Sequence, residues 1–161
     1  MVSPQNPFKV NQQLLADHLR LELVRKAIAH NPQFKALDYE FQLPKPSYTW
    51  NTLQHLRHDY PTYRFTLLVG GDNWAAFDRW NHAEDILANY KIVVYPRLGQ
   101  EIDKTILPAN VSLLQTPLIN VSSTDIRHRV EQREDISRLV PEDIENEIQR
   151  LYSAITPIGK K

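Results

Sequence analysis

Leucines recur every fourth residue near the start of the chain, at Leu15, Leu19 and Leu23, and Val24, Ala27 and Ile28 continue the stripe. That spacing predicts an amphipathic helix over 11–30, stopped at Asn31-Pro32. The period then changes. Leu37, Tyr39, Phe41 and Leu43 alternate with Asp38, Glu40 and Gln42, which predicts a half-buried strand at a sheet edge. Pro44-Lys45-Pro46 breaks it, and Ser47 is placed to cap a helix running to about residue 58. Short apolar runs at 64–69 and 91–95 read as strands, with a helical stretch over 83–89 between them. A further strand is expected over 111–114. Helices over 124–132 and 141–154 complete the chain, with Pro141 suited to a first helical position.

Strands that alternate with helices, and that are short apolar runs, predict an α/β fold with a largely parallel sheet. No internal repeat, low-complexity tract or long linker interrupts the chain, so a single domain over 1–161 is expected. In sheets of this kind ligands bind beyond the carboxyl ends of the strands. Gly70-Gly71-Asp72, Pro96-Arg97 and Ser122-Ser123-Thr124 all follow strands or strand-like segments, so the three loops are expected to meet at one cleft.

Composition narrows the class. The 161 residues carry 19 basic and 19 acidic side chains, so no basic surface argues for nucleic acid or a membrane as partner. There is no cysteine, hence no disulfide framework and no thiolate chemistry. The first residues, MVSPQNPFK, lack the apolar core of a signal peptide, and no run approaches the length of a membrane span. A soluble, cytoplasmic protein is the expectation.

The richest stretch for chemistry is VSSTDIR, 121–127. Ser122, Ser123 and Thr124 stand where a helix should begin, and Arg127 lies one turn further on. Such a helix start offers unpaired N–H donors and a partial positive charge to a phosphate, and Arg127 shares a face with Ser123. An ordinary capped helix with a surface arginine explains the same residues. Gly70 and Gly71 permit close backbone approach, and Asp72 can accept from a ribose hydroxyl; a tight turn is the plainer account. Trp74 and Trp80 are large side chains that usually pack in a core, but Trp80 lies between Arg79 and Asn81. Arg97 suits bidentate contact with phosphate, and Lys9 is its counterpart near the start; both could equally be solvated loop residues. His55 and His58 could share a helix face, but no third ligand can be named, so no protein-held metal is expected.

Together these pieces resemble the bacterial nicotinate-nucleotide adenylyltransferases. The matching segments are SPQNPFK (3–9), LPKPSYTWNTL (43–53), VGGDNWAAFDRW (69–80), YPRLG (95–99), VSSTDIR (121–127) and LVPEDI (139–144), in the family's order. VSSTDIR alone indicates the wider nucleotidyltransferase superfamily; Ser47-Tyr48-Thr49 with Gly-Gly-Asp and the following tryptophan points to the nicotinate branch. The resemblance implies a Rossmann-like nucleotidyltransferase fold. It also implies roles. Trp80 would stack on the nicotinate ring, and the Thr49 backbone would help hold the nicotinate carboxylate, with Ser47 and Tyr48 beside it. Arg97 and Lys9 would lie near phosphates of nicotinate mononucleotide. Gly70, Gly71 and Asp72 would form the ribose-binding turn for ATP, and Ser122, Ser123, Thr124 and Arg127 would cradle its phosphates. Leu98 stands where the family usually has proline, and Asn81 where an aromatic residue is frequent.

The family pattern also opens with a strand, a G-x-F-x-P-x-H-x-G-H segment, a helix and a second strand. The chain begins at Met1-Val2-Ser3-Pro4, where that second strand would be ending, and it contains no His-x-Gly-His. The resemblance therefore implies a domain lacking the first strand, the first helix and most of the second strand. The strand over 64–69 would lose a neighbour, and its open edge would favour pairing with another chain, as in a homo-oligomer. For the family, the implied reaction joins ATP to nicotinate mononucleotide, with Mg2+ bridging phosphates. Without the two histidines this chain is expected to have little or no turnover. The alternatives are another adenylyl- or cytidylyltransferase, such as the pantetheine-phosphate type, and a non-catalytic nucleotide-binding or interaction protein.

Overall fold

A computed structural model describes residues 1–4, 14–99, 102–119 and 121–155. The chain forms two compact units, one of residues 1–47 with 121–161 and one of residues 48–120.

The 48–120 unit holds the sheet. Strands β1 (Thr66–Gly70), β2 (Lys91–Tyr95) and β3 (Val111–Leu113) lie parallel in the order β1-β2-β3. The central strand β2 is a β-branched apolar run, and Ile92 and Val94 are fully buried. Helix α2 (Thr49–Asp59) precedes β1. A short helix α3 (Gly71–Trp74), a 3-10 turn at Phe77–Arg79 and helix α4 (Ala83–Asn89) carry the chain from β1 to β2. Leu53, Val69, Phe77, Ile86, Tyr90, Ile92, Val94 and Val111 make one apolar core. Asn110 donates to the carbonyls of Leu87 and Tyr90, which ties the end of α4 to the entry of β3. Among the described residues β1 is paired only with β2, as expected of an edge, and its Leu68 is exposed.

The other unit is helical. Helices α1 (Asp17–Ala27), α5 (Ser123–Glu131) and α6 (Glu142–Ile155) pack around Leu15, Leu23, Val130, Ile136, Ile144 and Ile148. In α6 the core side chains fall at i, i+4 and i+7, through Ile144, Ile148 and Leu151. The helix expected over 11–30 is shorter where it is described: Ala16, with ψ 145°, is not helical, and α1 starts at Asp17. Turns at Ala29 and Asn31 follow it before Pro32.

One expected element is absent. Residues 37–43 form no strand; Tyr39–Gln42 is a 3-10 turn, closed by Phe41 N–H to the Asp38 carbonyl at 2.9 Å and Leu43 N–H to the Glu40 carbonyl at 3.3 Å. Alternating side chains describe a strand only if a neighbouring backbone takes up its donors and acceptors. Among the described residues, the backbone bond that reaches this stretch from outside it is Val2 N–H to the Leu37 carbonyl, at 3.1 Å.

Candidate active site

The carboxyl ends of β1 and β2 supply the first group of candidates. Gly70 pairs with Tyr95 in the parallel register, so the residues that follow leave the sheet at the same edge. Asp72 and Arg97, each two residues further on, meet there with Arg97 Nε 3.4 Å from Asp72 Oδ1. Both side chains are nearly half exposed. Gly70 leaves room for the pair, because a Cβ at that position would lie 2.6 Å from Asp72 Oδ1 and 3.1 Å from Arg97 Nε. Gly71 is buried and opens α3. The arrangement presents a carboxylate that can accept from ribose hydroxyls beside a guanidinium that can meet a phosphate.

The start of α2 supplies the second group. Tyr48 is the N-cap, in an extended conformation, and its side chain makes no capping bond. The first-turn donors at Thr49 and Trp50 are therefore not satisfied by a cap side chain, and such donors suit a carboxylate. The Tyr48 carbonyl accepts from the N–H and the hydroxyl of Thr52.

Ser47 does not cap this helix, contrary to expectation. Its side chain is buried, donates to Glu40 Oε2 at 3.0 Å and lies 3.3 Å from Ser3 Oγ. The hydroxyl is thus engaged within the fold, by Glu40 and Ser3. A buried polar atom needs partners, and Glu40 and Ser3 supply them.

Trp80 is half-buried, beside Phe77, with ring centroids 5.3 Å apart at 42°. Phe77 in turn stacks on Trp74 at 5.1 Å. Trp80 thus packs against the core while keeping part of its indole open, which a ring-stacking role requires.

In the helical unit, Ser122 is the N-cap of α5. Its Oγ accepts from the Asp125 N–H at 3.1 Å and donates to the Asp125 carboxylate at 2.5 Å. That reciprocal pair resembles a capping box, and it occupies the hydroxyl. Thr124 Oγ1 lies 3.1 Å from Arg127 Nη2. Ser123 and Arg127 share a face, as expected, and both line a cavity of about 360 Å³ with Ser3, Arg20, Ile126 and Tyr152. Lys9 lies outside the described residues.

Arg20 is a residue that the sequence pattern did not single out. Its guanidinium donates to the Ser3 and Pro4 carbonyls at 2.7 and 3.1 Å and to Asp17 at 2.6 Å. Only the i, i+3 spacing of Asp17 and Arg20 was visible beforehand, and surface pairs at that spacing are common. His55 and His58 are exposed and engage the Asn51 carbonyl and Asp59. Among the described residues no three His, Asp or Glu side chains are grouped to hold a metal ion.

Residues 1–129 match the cytidylyltransferase-like family model. A Bacteroides fragilis protein named a probable nicotinate-nucleotide adenylyltransferase is 48% identical over 136 residues, covering 84% of this chain and 68% of that protein. The chain belongs to the nicotinate-nucleotide adenylyltransferase family. A relative of the same name from Cytophaga hutchinsonii is 45% identical over 155 residues, covering 95% of this chain and 81% of that one. Among solved structures, the Plasmodium falciparum nicotinic acid mononucleotide adenylyltransferase complexed with NaAD superposes with a TM-score of 0.70 at 20% identity, covering 90% of this chain and 78% of that one. That likeness establishes the nucleotidyltransferase fold. For an adenylyltransferase of this family, no helix among the described residues is long and apolar enough to cross a membrane.

Proposed function

We propose that this protein serves the transfer of the adenylyl group of ATP to nicotinate mononucleotide, giving nicotinate adenine dinucleotide and pyrophosphate in NAD biosynthesis, in the cytoplasm. The kinship over 136 residues with a relative of that name carries the reading. The paired Asp72 and Arg97 beyond adjacent parallel strands supports it, as the carboxyl ends of such strands are where nucleotides bind.

In the reaction, a phosphate oxygen of nicotinate mononucleotide attacks the α-phosphorus of ATP. The bond from that phosphorus to the β-bridging oxygen breaks, and pyrophosphate leaves with the electron pair. Such transfer depends on positioning and on stabilising charge more than on covalent help. Trp80 stacks on the pyridine ring, and the Thr49 N–H at the start of α2, beside Tyr48, meets the nicotinate carboxylate. Arg97 and Lys9 meet the mononucleotide phosphate. Gly70 and Gly71 let Asp72 reach the ATP ribose. Ser123, Thr124 and Arg127, with the backbone donors that Ser122 leaves uncapped, meet the ATP phosphates. Mg2+ would be carried by the substrate phosphates, where it would offset their charge.

Calorimetric titration of the 161-residue chain tests the reading. ATP and nicotinate mononucleotide are expected to bind, the latter ahead of nicotinamide mononucleotide and phosphopantetheine. Because these 161 residues contain no His-x-Gly-His, pyrophosphate release from them alone is expected to be far slower than from a relative that has it. Preference for phosphopantetheine, or no nucleotide binding, would overturn the assignment.

A further inference from the structure

Trp50, in the first turn of α2, lies face to face with His82, with ring centroids 5.4 Å apart and planes inclined by 22°. Tyr90 meets the same indole edge-on at 6.5 Å and 81°. His82 stands two residues after Trp80, in a turn closed by the Ala83 N–H to the Trp80 carbonyl at 3.2 Å. Its backbone is left-handed, with φ 56° and ψ 39°, a conformation that histidine adopts at an energetic cost. Although it is the N-cap of α4, its side chain makes no capping bond. The imidazole is held instead by Asp85, 2.7 Å from Nδ1, and by the face of Trp50.

The stack links two segments. One is the start of α2, where Thr49 precedes Trp50; the other is the turn that carries Trp80. We infer that His82 is a positioning residue for the pyridine end of the site, holding the α2 start and the Trp80 turn at a fixed separation through Trp50. The inference rests on the reading of Thr49 and Trp80 as the nicotinate-binding positions.

Titration of nicotinate mononucleotide and ATP into the wild-type chain, His82→Asn and His82→Phe tests it. Asparagine tolerates the left-handed backbone and removes the ring, whereas phenylalanine keeps a ring to stack. His82→Asn is expected to weaken nicotinate mononucleotide by roughly three- to tenfold, the worth of one ring stack. It should leave ATP affinity near wild type with only a small fall in unfolding temperature, and His82→Phe should restore most of the loss. Equal binding of nicotinate mononucleotide by wild type and His82→Asn would overturn the inference. So would a parallel loss of both ligands together with stability, the mark of a merely structural residue. A wild-type chain that binds ATP but not nicotinate mononucleotide would overturn the nicotinate site itself, and this inference with it.

Discussion

Arg97 Nε lies 3.4 Å from Asp72 Oδ1, and each residue stands two positions beyond one member of the register pair Gly70–Tyr95. Neighbouring parallel strands in register thus bring two loops, 25 residues apart in sequence, to one edge of the sheet. Gly70 makes the meeting feasible, since a methyl group there would press on the Asp72 carboxylate. Gly70→Ala is therefore expected to separate the pair and weaken ATP by about tenfold, the loss of one good polar contact. Calorimetric titration measures it; unchanged ATP affinity would argue against this turn as the ribose site. The ion pair itself is half exposed and is expected to contribute under about 1 kcal/mol to stability in a double-mutant cycle.

Ser47 distinguishes a latch from a ligand. Removing its hydroxyl takes one hydrogen bond from Glu40 and one from Ser3 in a part-buried place. Ser47→Ala is expected to cost about 1–2 kcal/mol in chemical denaturation. Nicotinate mononucleotide affinity, measured on the folded variant, should stay within about twofold of wild type, because one hydroxyl turned inward contributes no ligand contact. A large affinity loss with little change in stability would show the hydroxyl to be a substrate contact after all.

Trp80 carries both packing and the proposed stacking. Its contact with Phe77 predicts that Trp80→Ala destabilises by about 2 kcal/mol, less than a fully buried tryptophan. The same variant should lose selectivity for nicotinate mononucleotide while retaining ATP. Parallel titrations of the two ligands below the unfolding transition provide the readout.

The start of α5 separates capping from anion binding. Ser122→Ala removes the acceptor for the Asp125 N–H and is expected to cost about 1 kcal/mol. Arg127→Ala should instead weaken ATP with a smaller change in melting temperature. The opposite pattern would place the phosphate contact on Ser122.

Asp135 gives a pH signature. The Ser137 backbone N–H and hydroxyl bond to its carboxylate and hold its pKa below the ordinary 3.8, with Arg138 and Arg129 adding to the effect. A folded pKa below the unfolded one means that the unfolded chain takes up the proton first as pH falls. The stabilisation is complete above the ordinary carboxylate range and disappears as pH drops through the folded pKa. Asp135→Ala should melt slightly below wild type at pH 6, and the gap should shrink as pH falls below the ordinary carboxylate range. A gap that widens in acid would contradict the sign.

Much of the fold was legible because its signals are local. The β-branched run of β2, the seven residues of α4 and the serine that caps α5 appear where the pattern placed them. Each depends on side chains within a turn or two of one another. The 37–43 segment misled because alternation is also local, while a strand is not: it needs a second backbone, and among the described residues only Val2 bonds to it from outside. For the candidate site, the sequence named Asp72, Arg97, Trp80 and Ser123 one by one and supplied the family resemblance.

What the sequence determined by itself was the inventory of elements and the chemical types available at their ends. Tertiary structure decided which of them meet. Asp72 finds Arg97 through strand register, Ser47 turns to Glu40 and Ser3, and His82 comes to lie on Trp50. Helical and turn preferences are set by neighbours along the chain. Contacts across tens of residues are set by packing, register and the need of buried polar atoms for partners, and those exist only once the chain has folded.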